Sequence, residues 1–183
     1  MLPRVITLLS LSIGCALFAG AQTPSLAQTL TAKPPHRPTI IMGRQHPGRV
    51  TGIADDGVVV DLRNGEKQVV QFGEIWRIWR AFVSDEPAGT SVIDFANNRL
   101  FVATPLPDLI GNVSKKVALT KLTAPNGEAI YMAAGKVTDI YGALPGLHNP
   151  SSKTVIGTRD GTQQVLETID AAKQIIGEAH LSQ

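Results

Sequence analysis

From Val50 onward the apolar positions recur every second residue. Val50, Gly52 and Ala54 lead into Asp55-Asp56-Gly57, a turn signal, after which Val58, Val60 and Leu62 alternate with Val59 and Asp61. Arg63-Asn64-Gly65-Glu66 follows, and its Asn-Gly pair supplies the positive φ angles of a tight hairpin turn before a return strand from Gln68 to Phe72. A period of two broken by turn residues predicts a meander of short antiparallel strands.

The same ingredients return later in the chain. Asn64-Gly65-Glu66 recurs as Asn126-Gly127-Glu128, and at the same offset of 62 residues Val60 matches Leu122, Ile75 matches Val137 and Ile78 matches Ile140. One residue of slippage then aligns Val92-Ile93 with Val155-Ile156, Asn97 with Asp160, and Val102 with Val165. Here the period changes to that of a helix: Leu106, Leu109 and Val113 correspond to Ile169, Ala172 and Ile176, an i, i+3, i+7 stripe in both places. Thr104-Pro105 predicts an N-cap followed by Pro at the first helical position, and Thr168 with Asp170 places a cap and an acid at the start of the last helix. The expected fold is α+β and β-rich, with two tandem antiparallel hairpin-pair modules, 48–113 and 114–183, each ending in a short helix.

The N-terminal pattern is different. Arg4 precedes an uncharged, mostly apolar run from Val5 to Phe18, and Ala19-Gly20-Ala21 supplies small residues at leader-peptidase spacing. That run is shorter than the ~20 residues a membrane-spanning helix needs. Residues 1–21 are therefore expected to be a cleaved signal peptide, with Ser25-Leu26-Ala27 offering a second cleavage point, and the mature protein is expected in the periplasm or outside the cell. Leu11-Ser12-Ile13-Gly14-Cys15 is a loose lipobox, but Ser12 stands where Leu is usual and the apolar run continues past Cys15. Lipidation at Cys15 is the lesser alternative. With the leader removed, the chain's single cysteine is gone, so disulfides, thiolate catalysis and Cys-ligated zinc are excluded.

Charge divides the remainder. Residues 28–47 form a basic, Pro-rich linker; from Gln28 to Val50 there are Lys33, Arg37, Arg44 and Arg49 and no acid, a formal +4. The chain beyond carries the other 12 Lys+Arg, once Arg4 is also set aside, and all 15 acids, a formal −3. The linker is expected to be solvated, with weak contact to anionic membrane or cell wall as its available interaction. His36 and His46 lack the spacing of a metal pair. The 43% apolar content suits a packed core and excludes a disordered chain.

Catalytic motifs are missing from the sequence. Gly89-Thr90-Ser91 lacks the second Gly of a nucleophile elbow, and neither a phosphate-binding loop nor a His-Glu-x-x-His motif occurs. His148, His180, Glu128, Glu167 and Asp170 are the candidates a hydrolase would draw on, but turns, chain ends and helix starts select such residues anyway. No catalytic residue, cofactor site or metal site is assigned. The unusual cluster is Ile75-Trp76-Arg77-Ile78-Trp79-Arg80-Ala81-Phe82, which holds both tryptophans. Strict alternation would put Trp76, Ile78 and Arg80 on one face and Ile75, Arg77 and Trp79 on the other. Burial of the indoles in the core competes with a surface anchor made of Trp76, Arg77, Trp79, Arg80 and Phe82, residue types that dominate binding hot spots.

Residues 118–177 resemble the small flagellar FlbD-type, swarming-motility-associated family. The likeness rests on Leu119-Thr120-Lys121-Leu122, Asn126-Gly127, Val137-Thr138-Asp139-Ile140, Thr154-Val155-Ile156-Gly157, Asp160-Gly161 and Val165-Leu166-Glu167-Thr168. This chain departs from the family in Ala124-Pro125 before the turn, the Pro/Gly loop from Pro145 to Ser152, the duplication and the leader. The resemblance implies a fold and a flagellum-associated envelope role, not an activity. The strand-turn-strand-helix order also looks like LytTR-type DNA-binding modules, but an exported chain with an acidic body is a poor match to duplex DNA. The expectation is a non-enzymatic envelope protein working by contact with a protein partner or by self-association, with a small periplasmic hydrolase as the alternative.

Overall fold

The computed structural model describes residues 39–40, 47–62, 65–82, 86–87 and 89–181. The leader, Cys15, both expected cleavage sites, His36 and His46 lie outside them. Twelve strands and two helices follow in the described residues: β1 Thr39–Ile40, β2 Arg49–Ile53, β3 Gly57–Asp61, β4 Lys67–Gln71, β5 Ile75–Arg80, β6 Ser91–Phe95, β7 Asn98–Val102, α1 Leu106–Val113, β8 Leu119–Thr123, β9 Ala129–Ala133, β10 Val137–Gly142, β11 Thr154–Thr158, β12 Gly161–Val165 and α2 Ile169–Leu181. The chain is β-rich with antiparallel sheets and two helices, as the periodicity indicates. Single 3₁₀ turns, Phe72–Glu74 and Ala134–Lys136, join β4 to β5 and β9 to β10.

Spacing between the elements is regular. β3, β4, the first 3₁₀ turn and β5 start 62 residues before β8, β9, the second turn and β10; β6, β7 and α1 start 63 residues before β11, β12 and α2. The two hairpin turns match in detail. Gly65 and Gly127 take φ of 84° and 86°, which glycine adopts without a Cβ penalty. Leu62 N–H donates to Glu66 O and Ala124 N–H to Glu128 O, each at 2.8 Å. Even the bulges correspond: β5 slips one residue against β6 between Ile75 and Arg77, and β10 slips against β11 between Val137 and Asp139.

The strands form one six-stranded sheet, β1-β7-β6-β5-β9-β8, and two of three strands, β2-β3-β4 and β10-β11-β12. The six-stranded sheet is built from both halves, because β5 pairs antiparallel with β9 through Arg77–Met132, Ile78–Tyr131 and Trp79–Ile130. One core joins Ile75, Ile78, Ile93, Phe95, Leu100 and Val102 to Val58, Val60 and Val70 of β3–β4 and to Leu109 and Val113 of α1. The other joins Trp76, Trp79, Val92, Phe101, Ile130 and Met132 to Ile156, Val165 and Ile176. Alternate residues of the shared sheet thus feed different cores, and its two faces are covered by the two smaller sheets with their helices.

Two local expectations change. Thr39–Ile40, in the segment expected to be linker, pairs in parallel with Asn98–Arg99 of β7. Pro105, not Thr104, holds the N-cap position of α1. The Thr104 hydroxyl instead accepts from the N–H of Val50 at 3.1 Å, so a residue 54 positions away outcompetes the helix for it. Thr168 does cap: its Oγ1 accepts from Ala171 N–H at 3.3 Å.

Candidate functional site

β5 carries the cluster the sequence singles out. The bulge at Trp76 inserts one extra residue, which turns Trp76 onto the same face as Arg77 and Trp79. Ile75 and Ile78 face the other core. Strict alternation therefore fails at Trp76, and the two indoles flank Arg77 instead of lying on opposite sides of the strand. The Arg77 guanidinium stacks 4.3 Å from the centre of each indole. Trp76 and Trp79 are 2% and 3% exposed, Phe82 is half-buried and Arg80 is exposed. Of the five anchor candidates, the indole faces are occupied within the fold, and Arg80 is the one fully presented to solvent.

A charged network lies behind this stack. Asp94 on β6 is fully buried and sits directly across the ladder from both Arg77 and Arg99. Arg77 donates to Asp94 Oδ2 from Nε at 3.1 Å and from Nη2 at 2.6 Å, while Arg99 donates from Nε to Oδ1 at 2.9 Å and from Nη2 to Oδ2 at 3.2 Å. Arg77 Nη1 donates to Gln163 Oε1 on β12, tying the shared sheet to the second small sheet. Burial pulls the Arg77 guanidinium below the ordinary arginine value, opposed by the charge of Asp94 and its hydrogen bond. Glu86 closes the network: its carboxylate accepts from Trp79 Nε1 at 3.3 Å and from Phe82 N–H at 3.0 Å and lies 3.6 Å from Arg99 Nη1. Arg99 stacks 4.7 Å from the Trp79 ring.

A cleft of about 430 Å³ opens beside the network, lined among others by Phe82, Glu86, Arg99, Asn126, Asn149 and Gln163. Glu86, the acid in its lining, already accepts from the Trp79 indole and the Phe82 backbone N–H and lies against Arg99. The hydrolase candidates are dispersed. His148 Nδ1 accepts from Leu144 N–H at 2.7 Å, Glu167 Oε1 accepts from Thr123 N–H at 2.9 Å, Asp170 lies in the first turn of α2, Glu128 is exposed after the hairpin turn, and His180 lies within α2. No group of three His, Cys, Asp or Glu among the described residues could hold a metal ion, and none of the described helices is long and apolar enough to cross a membrane.

A second feature was not located by residue pattern. β10 pairs with β11 along one side, and among the described strands nothing pairs with its other side. Ala143 N–H donates to Lys153 O at 3.0 Å. By the alternation of an antiparallel ladder, Tyr141 and Asp139 also bond to β11, and Ile140 points its N–H and C=O outward. Large apolar side chains gather at this edge: Tyr141 is 41% exposed, and Leu144 and Leu147 in the loop that follows are 56% and 72% exposed. The Pro/Gly composition of 145–152 marks the loop in the sequence but not the open edge beside it.

Searches of family models, curated proteins and solved structures gave no match to this chain.

Proposed function

We propose that this is a non-enzymatic envelope protein that binds another protein by adding a strand to the β10 edge. The observation that carries the reading is the coincidence of an open backbone edge with exposed Tyr141, Leu144 and Leu147 within seven residues. Backbone donors and acceptors at such an edge supply affinity, and flanking apolar side chains supply specificity. The Trp/Arg cluster takes a different part in this reading: it welds the two halves into a rigid frame that holds the edge in place. A tandem duplication of one β-rich unit is part of the proposal, supported by the 62- and 63-residue spacings, the matched hairpin turns and the matched bulges. Export is part of it too, supported by the uncharged run Val5–Phe18 and Ala19-Gly20-Ala21.

A photocrosslinking residue at Tyr141, used in living cells, tests the edge. A discrete adduct is expected, and Ile140→Pro is expected to abolish it by removing the outward N–H while leaving the bonds to β11 intact. An adduct indifferent to Ile140→Pro would overturn strand addition. For export, a mature chain beginning at Gln22 or Gln28 is the expected product, and an intact Met1 in the cell envelope would contradict it.

A further inference from the structure

Resting on the strand-addition reading and the duplication, we infer that the strand accepted by β10 is β4 of a second copy of this chain, giving head-to-tail assembly. The template is the pairing inside one molecule. β5 accepts β9 along the side that β6 leaves free, with Ile78 opposite Tyr131. Sixty-two residues later β10 stands where β5 does, with the side away from β11 open; sixty-two residues earlier β4 stands where β9 does, with the side away from β3 open. One molecule therefore carries both an acceptor edge and a donor edge of the same join, each without a strand partner among the described residues.

The hydrogen-bonding phases agree. Leu62 N–H donates to Glu66 O and Phe72 N–H to Asp56 O, so along β4 the bonds to β3 fall on Gln68 and Val70 and leave Val69 pointing outward. Ile140 points outward on β10. Transposing the internal register puts Ile140 opposite Val69, with Asp139 opposite Val70 and Tyr141 opposite Gln68, and the two outward residues exchange their backbone bonds as a facing pair. The side chains agree as well. Tyr131, the counterpart of Val69, packs against the core that contains Ile78, whereas Val69 is 46% exposed; Ile140, the counterpart of Ile78, is half-buried beside the second core. Docking would cover two of the exposed apolar residues on the described surface, Val69 and Tyr141, at one contact.

The contact between copies is weaker than the one within a molecule. Trp76 and Trp79, which bury themselves at the internal join, correspond to Thr138 and Tyr141 on β10. Less apolar surface is removed from water, so the assembly is reversible and grows with concentration. Because the acceptor and donor edges differ, the contact is heterologous and builds chains or rings rather than a closed twofold dimer.

Sedimentation velocity of the mature full-length chain, from about 1 μM to about 1 mM to span weak affinities, is the test. Species beyond the dimer are expected to appear as concentration rises. Val69→Pro and Ile140→Pro are each expected to remain monomeric alone, because each lacks one edge. Mixed in equal amounts they are expected to form heterodimers and nothing larger, since the intact β10 of one meets the intact β4 of the other. Circular dichroism checks that each variant folds; should a proline variant not fold, Val69→Lys and Tyr141→Lys replace them. A wild-type chain monomeric throughout the range, or assembly that survives both single variants, overturns the inference. A monomeric chain that still gives an Ile140-dependent adduct from Tyr141 overturns self-assembly and leaves the strand-addition reading standing; loss of both removes both.

Discussion

At the scale of single residues, Asp94 holds the most consequential position. It is a fully buried carboxylate whose two oxygens receive four hydrogen bonds from two guanidinium groups, and those groups stack on the indoles. A buried ion cluster of this kind contributes little net stability relative to an apolar replacement, but removing one partner strands the others. Asp94→Asn leaves Arg77 and Arg99 facing a neutral amide, and the expected loss is about 3–5 kcal/mol, read as a lower urea midpoint at unchanged slope. The residue pattern singles out the β5 cluster but not Asp94, the one acid in Ser91-Val92-Ile93-Asp94-Phe95. Its role is set by cross-strand register, through which Arg77 and Arg99 reach it from opposite sides.

Elements obey the sequence where contacts are local and depart from it where they are not. The alternation in β3, the Asn-Gly turn and the apolar stripes of both helices are local patterns, and the structure has Val58, Val60, Leu109, Val113, Ala172 and Ile176 buried accordingly. The bulge at Trp76 escapes a period-two reading because a single inserted residue leaves no mark on composition. Thr104 reads as a cap because its competitor, the N–H of Val50, is far away in sequence. The β5–β9 join escapes for the same reason. Two glycines on neighbouring strands offer a direct contrast. A Cβ on Gly57 of β3 would lie 2.4 Å from Val70 O, a backbone atom that cannot move aside, whereas on Gly52 of β2 the nearest atom is Val59 Cβ at 4.0 Å. Gly57→Ala is expected to cost about 2–3 kcal/mol through overpacking. Gly52→Ala is expected to stay within about 0.5 kcal/mol of wild type. Thermal or urea unfolding of the pair checks both.

For the molecule as a whole, the shared sheet makes the two halves interdependent. A fragment ending at Ser114 would lack β9, leave the β5 edge open and expose the indoles that face the second core. It is expected to unfold at markedly lower urea concentration than the full chain, or not to fold, and addition of residues 115–183 is expected to restore protection. Circular dichroism of the fragments apart and mixed measures this; a fragment as stable as the full chain would mean that the seam carries no stability.

That seam also contains its own optical reporter. Both tryptophans of the chain belong to β5, both are buried, and both have a guanidinium over the ring, so tryptophan emission, excited selectively over the two tyrosines, senses one strand at the junction. Blue-shifted emission resistant to quenching is expected in the native protein. During unfolding, the fluorescence transition dates the opening of the junction while far-ultraviolet circular dichroism dates the loss of strands. If the junction yields first, the two curves separate, and the free-energy difference between them measures how firmly one half holds the other.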